Sequence, residues 1–294
     1  MASLYSEQSA NIRKTYLLMG VFLVVVIAIG WAISLYYGNP AILYAAVAFS
    51  LFMNVGSYWF SDKIVLSMSH AKPATRTEFF DFYTVTENLA ITAGLPMPKL
   101  YVITDPAPNA FATGRDEKHA VVCATTGLLS MLTRPELEGV IAHELSHIKN
   151  KDMLLMTVAV VLAGFVAILA DMFLRATHFS GGDRDNKAGA VIVILAIVGA
   201  ILAPIAAQLI KLAISRKREF LADSSGALLT RYPEGLASAL QKIGSYSSPM
   251  RHAHDATAHL FISNPFGAGA MKGISRLFMT HPPIEERVRA LLGK

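Results

Sequence analysis

The chain has 294 residues, 53% of them hydrophobic and only 16% charged, a composition that excludes a wholly water-solvated protein and places part of the chain in lipid. Its formal charge of +5 is not gathered into a basic patch with interleaved aromatics, so nucleic acid is not an expected partner; the basic residues sit beside apolar runs, as anchors at a lipid surface do. The single cysteine, Cys123, excludes an internal disulfide and, within an apolar run, reads as a buried structural thiol.

Residues 16–37 form an apolar run long enough for a bilayer core and are preceded by Arg13 and Lys14. After the uncharged turn Gly38-Asn39-Pro40 a second run covers 41–60, so residues 1–60 read as a transmembrane hairpin. From Ser61 the composition turns polar. Residues 78–93 carry Phe79, Phe82, Tyr83, Thr86, Leu89 and Ala90 at helical spacing, and Gly94 ends that helix. Three short strands follow at 100–104, 109–113 and 119–124, divided by turn residues.

The run opening at Thr133 reads as a helix. Thr133 and Glu136 fit a capping box, Pro135 is tolerated in the first turn, and Leu137, Ile141, Leu145 and Ile148 supply an apolar stripe. On it lies His143-Glu144-Leu145-Ser146-His147. Histidines four apart share a helix face and can hold one metal ion, while Glu144 beside them can take a proton from water attacking a carbonyl. The spacing points to metallopeptidase chemistry, with an ordinary polar helix face as the alternative.

A third apolar run, 153–174, and a fourth, 188–214, form a second hairpin (153–214) that interrupts a protease domain made of 61–152 and 215–294. The two parts, about 170 residues, suffice for a core of their own. Residues 245–265 read as a long loop. Lys63, Lys72, Arg76, Lys149, Lys151, Lys211, Arg216, Lys217 and Arg218 flank the hairpins on one side, so both termini and the active site are expected in the cytoplasm.

A catalytic zinc needs a third protein ligand. The position six residues after His147 is Met153, which rules out the three-histidine pattern. Glu219 lies on a helix free of Gly and Pro between Pro204 and Gly226, with Asp223 one turn later on the same face. Glu219 would bind zinc and Asp223 would orient a histidine; a solvated helix face after a membrane span is the other reading. His252, His254 and His259 could also hold a metal, but no helix fixes them.

His143-Glu144-Leu145-Ser146-His147 followed by Asp152, then Glu219-Phe220-Leu221-Ala222-Asp223, then His281-Pro282-Pro283 with Arg287, together resemble the HtpX membrane metalloproteases, relatives of the CAAX prenyl endopeptidase and the mitochondrial stress protease Oma. The resemblance spans nearly the whole chain. It implies an α+β integral membrane protein: four transmembrane helices plus a mainly helical gluzincin-type metalloprotease domain with a small β-sheet. The implied activity is that of an endopeptidase with one zinc per chain in the bacterial inner membrane, cleaving misfolded or damaged membrane proteins and unfolded polypeptides in quality control under stress. By the same resemblance Glu219 is the third ligand, and Asn109, Ala110 and Phe111 belong to a substrate-binding edge strand. His281 and Arg287 approach the site from the C-terminal segment, Arg287 towards substrate and His281 as the donor to an oxyanion. Two other functions stay open. An intramembrane protease would need the motif inside a span, whereas Lys149-Asn150-Lys151-Asp152 puts it at the water boundary; a chaperone or scaffold with a vestigial metal site would not need Glu144.

Overall fold

The computed structural model describes residues 4–179, 216–253, 257–267 and 282–293. Helices α1 (Leu4–Tyr37) and α2 (Ala41–Met68) pair as a hairpin, turning where Gly38 adopts φ +61, a conformation cheap only for glycine. Both are long and apolar enough to cross a membrane. From Tyr16 to Tyr37, α1 rises about 32 Å, close to the thickness of a bilayer's hydrocarbon core. Exposed aromatics cluster at both levels, Tyr16 and Trp59 at one and Trp31, Tyr37 and Tyr44 at the other, as interfacial belts do. Helix α2 continues eight residues past the apolar run, because Ser61, Val65 and Leu66 still bury one face while Lys63 stays exposed.

A four-stranded sheet follows. Strands β1 (Lys72–Pro73), β2 (Lys99–Ile103), β3 (Ala110–Thr113) and β4 (Val121–Thr125) lie in the order β1-β2-β4-β3, β2 and β4 parallel and the outer pairs antiparallel. The two-residue β1 has no sequence signal of its own; its proline is accommodated at an edge. Between β1 and β2, α3 (Phe80–Ala93) ends at Gly94 with φ +70. After β4 comes the short α4 (Thr126–Met131), capped by the Thr125 hydroxyl, then α5 (Arg134–Lys149), whose capping box forms with Pro135 in the first turn.

Helix α5 is the centre of the core beyond the hairpin. Leu137, Val140, Ile141, Leu145 and Ile148 pack into one core with Phe82, Val85 and Leu89 of α3, Val122 and Ala124 of β4, and Leu236 and Leu240 of α8 (Pro233–Ser245). Helix α6 (Asp152–Phe179) starts after a two-residue break and lays Leu155, Val158 and Leu162 against Leu18, Phe22 and Val26 of α1. The fourth apolar run, 188–214, lies outside the described residues, so among them two helices rather than four have the length and hydropathy of a span. Helices α7 (Arg216–Thr230) and α9 (Ile284–Leu292) complete the fold.

Gly226 does not end α7, which runs on to Thr230. A Cβ there would stand 3.0 Å from the His143 backbone nitrogen and 3.2 Å from the Ala142 carbonyl carbon, so the missing side chain lets α7 cross α5 at the motif.

Candidate metal centre

Helix α5 presents His143 and His147 on its α7 face, where Glu219 meets them. All three are buried, and one donor atom from each lies within 4.8 Å of the others; among the described residues this is the one such group. The two Nε2 atoms are 3.1 Å apart, His143 Nε2 is 3.8 Å from Glu219 Oε2 and His147 Nε2 is 3.7 Å from Glu219 Oε1. Ligands placed tetrahedrally at zinc distances stand about 3.3 Å from one another. The donor set therefore fits a four-coordinate zinc with three protein ligands and one position left open.

The far nitrogens of both rings are held by carboxylates: His143 Nδ1 is 2.9 Å from Asp223 Oδ1, and His147 Nδ1 is 3.0 Å from Asp152 Oδ2. This directs both Nε2 atoms inward, the carboxylate–histidine arrangement that orients metal ligands. Burial lowers His143, which favours the neutral imidazole a metal needs, although Asp223 pulls the other way. Burial alone would lower His147 too, but Asp152, Glu219 and Glu144 outweigh it and lift that ring to about 10. The surrounding carboxylates thus favour positive charge at the point where the donors converge.

Glu144 is 2% exposed. Burial raises its carboxyl to about 8; Glu219 adds to the effect, while His147, Arg287 and the Ala112 backbone N–H oppose it. A carboxylate held there is a competent proton acceptor close to neutral pH. Cys123, on β4, is wholly buried, and burial, with Glu144 nearby, pushes its thiol well up, consistent with an inert structural residue.

Arg287 departs from the expectation that it contacts substrate. Its side chain is fully buried, donating from Nε and Nη2 to Asp223 at 2.8 and 2.7 Å and from Nη1 to the Ile262 carbonyl at 3.2 Å. Nη1 also lies 3.9 Å from Glu219 Oε2. A guanidinium fork under two neighbouring carboxylates offsets charges that could not otherwise be buried together, so Arg287 holds the ligand shell from behind. His281 lies outside the described residues, as does His254. His259 is buried on a 3-10 turn and His252 exposed, and neither joins a metal group.

Strand β3 is the sheet edge next to the site, as expected, but part of that edge is already covered. Thr125 N–H donates to the Asn109 carbonyl, which fixes the antiparallel parity: residues 109, 111 and 113 bond towards β4, while Ala110 and Ala112 present their backbone groups outward. The Ala110 carbonyl already accepts from Ile262 N–H at 2.9 Å. The Asn109 carboxamide pairs with the Ser263 backbone, donating at 2.9 Å and accepting at 3.2 Å, and Phe111 is buried edge-to-face against Phe261. Asn109 and Phe111 therefore lock the segment around Ile262 onto the strand. Beyond that stretch the outward-facing residue is Ala112, whose N–H bonds the Glu144 carboxyl.

Sequence reasoning missed Asp152 as the partner of His147. The signal was its place five residues after His147, just beyond a helix break that periodicity alone does not reveal.

The model for peptidase family M48 matches residues 78–294. A protein named protease HtpX homolog from Caldanaerobacter subterraneus subsp. tengcongensis is 47% identical over 98% of this chain and 97% of its own length. Another of that name from Thermococcus kodakarensis is 48% identical over 94% of each chain. Among solved structures, the crystal structure of S. mikatae Ste24p superposes with a TM-score of 0.51 at 18% identity, covering 99% of this chain and 66% of that one; at that identity the likeness is one of fold.

Proposed function

Because the chain belongs to peptidase family M48, among the HtpX proteases, we propose that it is a membrane-bound zinc endopeptidase that cleaves misfolded or damaged membrane proteins and unfolded chains at the cytoplasmic face of the bacterial inner membrane. The observation that carries this reading is the convergence of His143, His147 and Glu219 with Glu144 beside them. These three residues would hold zinc, which when bound supplies a Lewis acid for the scissile carbonyl and for water. Glu144 takes a proton from the attacking water and returns it to the leaving amine. Asp223 and Asp152 hold the imidazoles in the tautomer that leaves Nε2 for the metal. An extended substrate laid along β3 pairs with the Ala112 carbonyl beyond the stretch covered by Ile262, so its register brings one peptide bond to Glu144; backbone pairing tolerates many sequences, as quality control requires.

The reading is tested with detergent-purified protein and an unfolded casein substrate. Cleavage stops with a chelator, returns with zinc and is absent from Glu144→Gln; hydrolysis that persists in metal-free Glu144→Gln overturns it. Mapping cuts on a tagged multispanning substrate tests the compartment, since sites on the far side of the membrane would contradict the cytoplasmic placement.

A further inference from the structure

A cavity of about 410 Å³ opens where α1, α2, the β3–β4 turn and the start of α6 meet, at the end of the hairpin that adjoins the protease domain. Three cations line it: Arg115 and Lys118 from the β3–β4 turn and Lys151 from the break before α6. Tyr16 and Tyr58, from the two candidate spans, add phenol groups at the same level. Hydrogen bonds fix the place of this wall, with Gln8 Nε2 donating to the Lys149 carbonyl at 2.7 Å and Asn11 Nδ2 to the Asn150 carbonyl at 3.2 Å.

Charge accounting favours an anion. Of the two acidic residues at the cavity, Asp116 accepts from the His119 backbone and lies 2.7 Å from His119 Nδ1 and 3.5 Å from Arg115 Nε, leaving Glu117 as the remaining acid. Among the described residues neither Lys118 nor Lys151 has a carboxylate partner. Arg115 also stacks its guanidinium 4.8 Å from the Trp59 ring, which holds that cation at the level of the aromatic belt. Lys151 sits at φ +57, a left-handed conformation that glycine or asparagine adopts more easily than lysine; strain kept at one residue marks a position worth a functional hypothesis.

We propose that this cavity binds the phosphate headgroup of an anionic phospholipid from the leaflet on the protease side. Basic pockets between membrane helices at that depth recognise such headgroups, the cations meeting phosphate while the acyl chains follow the apolar helices. The proposal uses α1 and α2 as spans and is independent of the peptidase reaction. The bound headgroup would touch both residues that bracket Asp152, since Lys151 and Met153 line the cavity.

The test is a binding titration in detergent with short-chain phosphatidylglycerol, phosphatidylcholine and inorganic phosphate, read by Trp59 emission in a Trp31→Phe background. Phosphatidylglycerol is expected to change the emission saturably and the other two not at matched concentration. Lys118→Gln and Lys151→Asn, the latter chosen because asparagine tolerates φ above zero, should each weaken the apparent affinity about 5-fold, while Lys99→Gln on β2 leaves it unchanged. An equal response to phosphatidylcholine, or titrations unaltered in both lysine variants, would overturn the proposal; an equal response to inorganic phosphate would assign the cavity to a soluble anion and overturn the lipid.

Discussion

Asp152→Asn isolates what the charge behind His147 contributes. Asp152 is fully buried and its Oδ2 lies 3.0 Å from His147 Nδ1. A hydrogen bond to a charged group contributes about 1.5–3 kcal/mol, and an asparagine oxygen in the same place keeps roughly half of that. The new amide falls where Oδ1 has no hydrogen-bond partner among the described residues, so it breaks no existing bond; its unpaired N–H groups cost stability with and without metal and cancel in the affinity. The loss of about 1–1.5 kcal/mol corresponds to zinc affinity weakened about 10-fold, and Asp152→Ala should approach 100-fold. Asp152 also opens α6, where a carboxylate favours the helix N-terminus by about 0.5 kcal/mol. That effect is present with and without metal and cancels in the affinity, though not in thermal stability. Competition against a chromophoric chelator gives the zinc affinity, and activity at saturating zinc should recover in the Asn variant. An unchanged affinity, or an activity loss that zinc does not rescue, would refute the assignment of Asp152 as a positioning residue.

Glu144→Gln should bind zinc stoichiometrically yet not cleave, whereas Glu219→Ala should lose both; metal analysis of the two purified variants separates base from ligand. Glu136, which accepts from Thr133 N–H, Ser238 Oγ and Lys242 Nζ, is held at about 2 instead of 4.5, these donors overcoming its burial. A carboxyl depressed on folding stabilises above its unfolded value and loses that contribution as pH falls through the folded one. The full linkage is about 3 kcal/mol; Lys242 is 40% exposed, and solvent screening reduces it to about 2. The stability gap to Glu136→Gln in detergent melts should therefore be present at neutral pH and close between about pH 4.5 and pH 2, and a gap that ignores pH would contradict the pairing. Gly226→Ala gains about 1 kcal/mol of helix propensity but presses a methyl onto the His143 backbone at a cost of about 1–3 kcal/mol. A net loss of stability with weaker zinc binding is expected, and a stabilised variant with unchanged affinity would show that the crossing has slack.

The motif helix was legible in the sequence because its signals are local: the capping residues Thr133 and Glu136, the stripe through Leu145 and the histidine spacing all lie within a few turns. Glu219 and Asp223 could be proposed since a ligand and its neighbour on one helix face follow from a spacing of four. Arg287 was expected to approach the site, but its partners there were not legible, because Asp223 and the Ile262 carbonyl are 64 and 25 residues away in sequence and only packing brings them together. The partners of Asn109 and Phe111 were hidden for a similar reason. An edge reads as free until the chain that covers it, here Ile262 and Ser263, is placed.

The break between α5 and α6 shows how one local irregularity serves the site. On an uninterrupted helix Asp152, five residues after His147, would be turned about 140° away from it around the axis, and its carboxylate could not face the Nδ1 of that ring. Asn150 caps α5 and Lys151 adopts φ +57, so the chain reverses its local hand for one residue and restarts with Asp152 as the first residue of α6. That restart brings the carboxylate back over His147 and points α6 along α1 and α2. The height of the donors above the lipid therefore cannot be counted along one straight rod from the motif into the membrane. It is set by the turn, which the Asn11 and Gln8 side chains of α1 grip at the Asn150 and Lys149 carbonyls. A force that shifts α1 relative to α6 acts on the backbone that carries Asp152, and so reaches the metal ligand through one hydrogen bond.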